Sequence, residues 1–174
     1  MTKGLTIVYI GDGKGKTSAA VGLATRALGT GFKVAFYQFV KGDWPSGERA
    51  KLAEMGAEVK LLGRGFVGIL GDRKPLDEHR FAAEDALDIA MKALTSKKFQ
   101  LVILDEVISA VEIGLLEVKD VLDLIAIKPH EVHLCMTGHK RYKKIIEVAD
   151  LVTEMKMIKH PYYEGILAQR GIDY

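Results

Sequence analysis

The stretch Gly11-Asp12-Gly13-Lys14-Gly15-Lys16-Thr17-Ser18-Ala19-Ala20 follows the apolar run Leu5-Thr6-Ile7-Val8-Tyr9-Ile10 and opens onto a helical pattern. Three glycines allow backbone N–H groups to turn inward around an anion, because glycine enters positive φ without a steric penalty. A helix starting at Lys16 adds the positive end of its dipole, and the Lys16 ammonium adds a full charge suited to a phosphate tail. Thr17 is then placed to offer its hydroxyl to a magnesium ion. The common form of this motif has four residues between its first glycine and the Gly-Lys pair, and counting back from Gly15 lands on Ile10. Either the loop is one residue tighter, with Gly11 as its first glycine, or Ile10 stands in that glycine's place.

A second segment completes the pattern. Leu101-Val102-Ile103-Leu104-Asp105-Glu106 is an apolar strand ending in two carboxylates. An acidic residue at such a strand tip holds magnesium through water opposite the glycine loop. Asp105 and Glu106 are therefore candidate metal ligands with Thr17. Glu106 could instead activate water or orient a substrate. Other strand ends also carry polar groups: Gln38 is followed by Lys41 and Trp44, and Thr137-Gly138-His139 closes another apolar run. Lys41 is either an exposed surface lysine or an added charge against the phosphates. Trp44 and Phe66 read as core residues or as ligand contacts, and Phe66 lies in a glycine-rich stretch with nothing obvious to bury it.

Short apolar runs alternate with helical patterns along the chain. Strands are expected at 4–10, 33–39, 58–62, 100–105, 131–137 and 151–155, and helices at 16–28, 48–55, 77–95, 118–126 and 141–148. In the third helix Ala83, Leu87, Ala90 and Leu94 recur at helical spacing, and Asp77 after Pro75 makes a start signal. This alternation predicts an α/β fold with a mostly parallel sheet covered by helices on both faces, and ligands beyond the carboxyl ends of the strands. A single domain over 1–174 is expected, since no linker, repeat or low-complexity tract interrupts the pattern. The longest irregular segment, 63–74, carries four glycines and has the character of a functional loop.

Composition narrows the partners. The chain has 174 residues, enough for one domain that buries about 70% of its unfolded surface. A net charge of +2, from 25 basic and 23 acidic residues, argues against a nucleic-acid footprint. The Lys140, Arg141, Lys143 and Lys144 cluster reads as a solvated helix face. No run approaches the length of a membrane span, and the N-terminal apolar run is too short for a signal peptide. Cys135, the lone cysteine, lies in an apolar run and reads as a small buried hydrophobe, which points to a reducing, cytoplasmic setting. His130 and His133 are three apart in a strand and face opposite sides, so they do not form a metal pair.

With these residues in view, the chain resembles the P-loop class of ATP:corrinoid adenosyltransferases (cob(I)alamin adenosyltransferases) over essentially its whole length. The resemblance rests on 11–20, Gln38-Phe39-Val40-Lys41-Gly42 with Trp44, Gly47-Glu48-Arg49, 102–106, Thr137-Gly138, 149–155, Lys159-His160-Pro161 and 165–172. The one-residue-short loop is similar to that family's own variant. The resemblance implies a RecA-like P-loop NTPase fold, typically a homodimer, that transfers the 5′-deoxyadenosyl group of ATP to corrinoid cobalt and releases triphosphate. The cobalt must first reach Co(I) through an external reductant of flavoprotein type. Gly11, Asp12, Gly13, Lys14, Gly15, Lys16, Thr17, Ser18 and Lys41 would then hold ATP. Thr17, Asp105 and Glu106 would hold Mg2+. Phe66 matches an aromatic position that excludes the corrinoid's lower ligand, and Lys16, Phe66 and Glu106 form the implied catalytic set.

Three departures from the family pattern stand out. Gly68 replaces a common tryptophan, His139 stands where arginine is common, and the long N-terminal extension of some members is not expected here. A conventional ATPase or kinase, and a non-catalytic ATP-sensing module, are the competing readings. A thymidine-kinase-like reading lacks the cysteines for a bound zinc.

Overall fold

The computed structural model describes residues 2–42, 45–65, 67–68 and 72–174. Its frame is six strands whose apolar runs are short and rich in β-branched residues. They are β1 (Thr6–Ile10), β2 (Val34–Gln38), β3 (Glu58–Leu61), β4 (Leu101–Asp105), β5 (His133–Thr137) and β6 (Leu151–Glu154). All pair in parallel, in the order β3-β2-β4-β5-β1-β6. The sheet is thus wholly parallel, one step beyond the expected mostly parallel arrangement. β2 and β4 are buried at every residue, as parallel strands covered on both faces require.

Strand alternation divides the core into two layers. Val8, Ile10, Ala35, Tyr37, Val102, Leu104, Leu134 and Met136 face α3 (Leu76–Thr95), α4 (Val107–Glu112), α5 (Val118–Ala126) and α6 (Lys143–Val148). Ile7, Val34, Phe36, Leu101, Ile103 and Cys135 face α1 (Lys16–Gly29) and Leu52 of α2 (Gly47–Glu54). Helix α1 reaches the sheet through Ala20, Ala24 and Ala27, small residues that allow close packing. All six expected strands form, each trimmed at its ends, and the five expected helices form within one or two residues at each end. The buried stripe of α3 runs through His79, Ala83, Ala86, Ala90, Ala93 and Leu94, while Leu87 is only half-buried. Helix α4 and the 3₁₀ turn Pro161–Glu164 lie where no element was expected. Helix α4 is six residues long, too short to show a period, and five of them are buried.

Cys135 is buried as expected, and burial pushes its thiol well above the ordinary range, which leaves it unreactive. His133 accepts a hydrogen bond from Leu5 N at its Nδ1 (3.1 Å) and stacks on Phe32, a structural role. Among the described residues no cluster of three His, Cys, Asp or Glu side chains could hold a metal. No helix among them is long and apolar enough to cross a membrane.

At the β3 edge, Tyr37 Oη donates to Glu58 Oε1 (2.6 Å) and Lys98 Nζ donates to Glu58 Oε2 (2.5 Å). The Lys98 bond, then the Tyr37 bond, hold the Glu58 carboxyl at about 2 rather than its ordinary 4.5. Because the folded value is depressed, this stabilisation is complete above pH 4.5 and is lost as pH falls towards 2. Urea unfolding followed across that window should show Glu58→Gln losing less stability on acidification than the wild type. Parallel pH profiles for the two proteins would remove the assignment.

Candidate active site

The carboxyl ends of β1, β2, β4 and β5 meet at one edge of the sheet, where Gln38, Asp105 and Thr137 are completely buried. Register explains the meeting, since Gln38 pairs with Asp105, and Thr137 pairs with Tyr9 next to the start of the glycine loop. Asp105 collects four donors. Thr17 Oγ1 (2.9 Å) and Thr137 Oγ1 (2.8 Å) donate to its Oδ1, while Gln38 Nε2 (3.0 Å) and Lys41 Nζ (3.3 Å) donate to its Oδ2. A buried carboxylate survives in this form because each oxygen is satisfied. Arg49 Nε in turn donates to Gln38 Oε1 (2.6 Å), fixing which way that amide faces.

The strand carrying the loop and the strand carrying Asp105 are not neighbours. β5 lies between them and supplies Thr137. Besides donating to Asp105, the Thr137 hydroxyl accepts from Glu106 N (2.8 Å). That bond helps hold Glu106 at φ +66°, a left-handed conformation uncommon for a residue with a side chain, immediately before α4 begins. The Glu106 side chain then lines the cleft instead of continuing the strand.

The glycine loop runs over 11–15. Ile10 is the last, buried residue of β1, so the tighter of the two sequence readings holds and Gly11 is the first loop glycine. Gly11 adopts φ +110°, and a Cβ there would lie 2.3 Å from the Met155 carbonyl oxygen just beyond β6. No larger residue fits. Gly13 N donates to that same carbonyl (2.8 Å), and Met157 N donates to Asp12 Oδ1 (3.3 Å), so the chain after β6 braces the loop. Lys16 is buried at the start of α1, with its Nζ donating to Gly13 O (2.7 Å). Burial pulls its ammonium below the ordinary lysine value, and the Glu106, Asp12 and Asp105 carboxylates oppose that shift. A polyanion in the loop would act in the same direction as those carboxylates, favouring the charged lysine.

These groups border a cavity of about 530 Å3 that includes Lys14, Gly15, Lys16, Thr17, Ser18, Lys41 and Glu106. The structure therefore brings together most of the residues singled out in the sequence. Lys41 is part of the site and not a free surface lysine: its Nζ lies 3.3 Å from Asp105 Oδ2 and 3.4 Å from Thr17 Oγ1. Asp12 is exposed and faces the chain after β6. Phe66 and Trp44 lie outside the described residues. Described residues on either side of Phe66 make hydrogen bonds of their own. Leu62 N and Gly63 N donate to Gln38 O (2.9 and 3.2 Å). On the other side, Asp72 Oδ2 accepts from Gly68 N (3.0 Å) and lies 2.9 Å from the buried His79 Nε2. Gly68 sits at φ +69°, where a tryptophan would be strained.

His139 also lines the cavity, with its Nδ1 3.2 Å from Ser109 Oγ, and its backbone carbonyl accepts from Gly11 N (2.9 Å). Val21, Gly47, Glu48 and 171–174 also border this cavity and were given no site role from the sequence, and 171–174 lies some 150 residues from the loop. No spacing signal could have indicated that last approach.

Comparison with known proteins agrees with this geometry. The family model described as ATP:corrinoid adenosyltransferase BtuR/CobO/CobP matches residues 2–174. A corrinoid adenosyltransferase of Escherichia coli K12 is 37% identical over 172 residues, covering 99% of this chain and 86% of that protein. One from Pseudomonas aeruginosa is 38% identical over 174 residues, covering 99% and 84%. The corrinoid adenosyltransferase CobA of Salmonella typhimurium is 34% identical over 177 residues, covering 99% and 86%. Among solved structures, a KaiC-like protein of Pyrococcus horikoshii superposes with a TM-score of 0.57 over 91% of this chain and 75% of its own, at 15% identity, a likeness of fold alone.

The Thr137 hydroxyl supports two buried groups at once, which makes its removal informative. Thr137→Val should lower stability by about 1–3 kcal/mol in urea unfolding, since it leaves Glu106 N without its acceptor and Asp105 short of a donor. A loss below about 0.5 kcal/mol would mean that the junction is not held by this residue.

Proposed function

Because the chain belongs to the ATP:corrinoid adenosyltransferase family, we propose that it transfers the 5′-deoxyadenosyl group of ATP to the Co(I) centre of a corrinoid, either cobalamin or a precursor such as cob(I)yrinic acid a,c-diamide. The observation that carries this reading is the full-length family match, joined to a cleft in which the glycine loop, Lys16, Thr17 and Asp105 converge.

In the reaction the cobalt electron pair forms the new bond to C5′ of the ribose. The C5′–O bond breaks, and its electron pair leaves with inorganic triphosphate. The corrinoid supplies the nucleophile, so the protein's share is positioning and charge stabilisation. Lys14, Lys16, Lys41 and the amides of 11–15 supply cationic and N–H groups where charge develops on the departing triphosphate. The dipole of α1 points its positive end at the same place.

The oxygen donors of Thr17, Asp105 and Glu106 fit Mg2+, a hard cation. The Lys41 ammonium between Thr17 Oγ1 and Asp105 Oδ2 indicates that this oxygen pair accepts a positive charge. Asp105 has both oxygens engaged, so its part is to accept the Thr17 hydrogen bond and leave that hydroxyl's lone pairs turned outward. With few protein oxygens available, Mg2+ would rely on substrate phosphates and water, its usual habit in nucleotide sites. When bound, it neutralises charge on the polyphosphate.

Phe66 carries the expected aromatic role against the corrinoid's lower ligand, on the strength of the family resemblance. The same resemblance supports an external flavoprotein-type reductant, a homodimer and a single catalytic domain over 1–174. A cytoplasmic setting suits the lone, buried Cys135 thiol.

An anaerobic assay with ATP and reduced corrinoid, following cobalt–carbon absorption and free triphosphate together, tests the whole reading. Equimolar adenosylated corrinoid and triphosphate are expected, and ADP as the only nucleotide product would overturn it. Lys16→Ala should reduce transfer at least about 100-fold, the scale of losing a principal charge-stabilising donor. Unchanged turnover would move the site elsewhere. Phe66→Ala should slow transfer when cobalt is supplied as Co(II) but leave transfer from pre-reduced Co(I) close to wild type. Equal losses from both starting states would exclude the ligand-displacing role.

A further inference from the structure

The segment 169–174 closes on itself. Gly171 N donates to Tyr174 O (2.7 Å), Asp173 N donates to Gln169 O (2.8 Å), and Gln169 N donates to Asp173 Oδ2 (2.8 Å). The shape of this turn is therefore set within the segment and does not depend on the loop it touches. It lies against the phosphate loop, sharing the cavity with Lys16, Thr17 and Lys41. There the Asp173 carboxylate forms an ion pair with the Lys14 ammonium, with Asp173 at 15% and Lys14 at 56% side-chain exposure. Among the described residues, this is the one ion pair that sets a carboxylate on a lysine of the glycine loop.

A carboxylate on a lysine that serves a polyphosphate calls for an explanation. A tether is a poor one, because a pair with one partner more than half exposed contributes little to folding, and the turn already has its own hydrogen bonds. Competition is a better one. An anion attached to the same chain acts at an effective concentration in the millimolar range, so any phosphate that takes Lys14 must displace it. The need for such a competitor follows from the reaction proposed above. The charges that stabilise the departing triphosphate also bind it once it is free, and interactions that persist after the transition state retard release.

We infer that Asp173 is a built-in competitor for the triphosphate site: it holds Lys14, yields it to substrate polyphosphate, and reclaims it as inorganic triphosphate departs. The inference rests on the proposed function for its account of why release matters. The contact itself and its effect on polyphosphate affinity do not require that function.

Asp173→Asn is the decisive variant, since the amide keeps an oxygen for Gln169 N and removes only the charge. Calorimetric titration of the whole protein with sodium tripolyphosphate should show about threefold tighter binding by Asp173→Asn than by wild type, the scale of a partly exposed ion pair. Tripolyphosphate should inhibit adenosyl transfer at correspondingly lower concentration in that variant. In a Lys14→Gln background the same substitution should have no effect on affinity, a coupling that a purely structural role would not produce. Unchanged or weaker binding by Asp173→Asn, or a gain that persists without Lys14, would overturn the inference. A wild type that binds no tripolyphosphate would overturn both the inference and the phosphate cradle. A wild type that shows the expected coupling yet forms no adenosylated corrinoid would remove the proposed function and leave the competitor in place.

Discussion

A carboxylate withdrawn from water must be surrounded by donors, and Asp105 meets that demand at the one place where four strand tips converge. Its two oxygens tie α1 through Thr17, β2 through Gln38, β5 through Thr137 and the segment after β2 through Lys41. Three of these ties are 2.8–3.0 Å and the Lys41 contact is 3.3 Å, and together they help to fix the relative heights of the strand tips. The position of the phosphate loop follows from this, because β1 is set against β5, and the start of α1 is held over β4. The left-handed Glu106 belongs to the same system, since the hydroxyl that serves Asp105 also secures its amide.

Around that point the structure divides its work by element. The sheet and α3 supply a dense apolar body. The loop at 11–15 supplies directed N–H groups, and the chain beyond β6 presses on it closely enough to forbid a side chain at Gly11. Lysines then enter from three separate places, Lys14 from the loop, Lys16 from the start of α1 and Lys41 from beyond β2. The adenosyltransferase family places its difficult chemistry on the corrinoid, and a site made of positioned charge is what such a reaction asks of its protein.

Much of this was legible in the sequence for identifiable reasons. Strands buried on both faces write themselves as continuous apolar runs, so Leu101-Val102-Ile103-Leu104 could be read directly. The glycine loop and the Asp105-Glu106 pair carry their meaning in spacing and position. Elements of six residues are too short for a helical period, which is why α4 gave no signal. The buried stripe of α3 falls on Ala86 more than on Leu87 because packing against the sheet favours the smaller side chain, a tertiary choice invisible to periodicity. Lys41 could not be separated from an ordinary surface lysine until Asp105 was placed beside it. The approach of 171–174 to the loop depends on how the chain folds back after β6, and nothing local encodes it.

The strand order carries one further implication, for biosynthesis. β1 is made first, yet its partners in the sheet are β5 and β6, the last two strands to be synthesised. As the chain leaves the ribosome, the nascent phosphate loop has no strand beside it until β5, which follows all of β2, β3 and β4, has been made. β2, β3 and β4 can assemble earlier into a partial sheet, whose β4 edge stays open until β5 arrives. Loop-closure entropy of this size makes the final docking of β1 a slow, late event, and it leaves unpaired apolar edges that a chaperone would recognise.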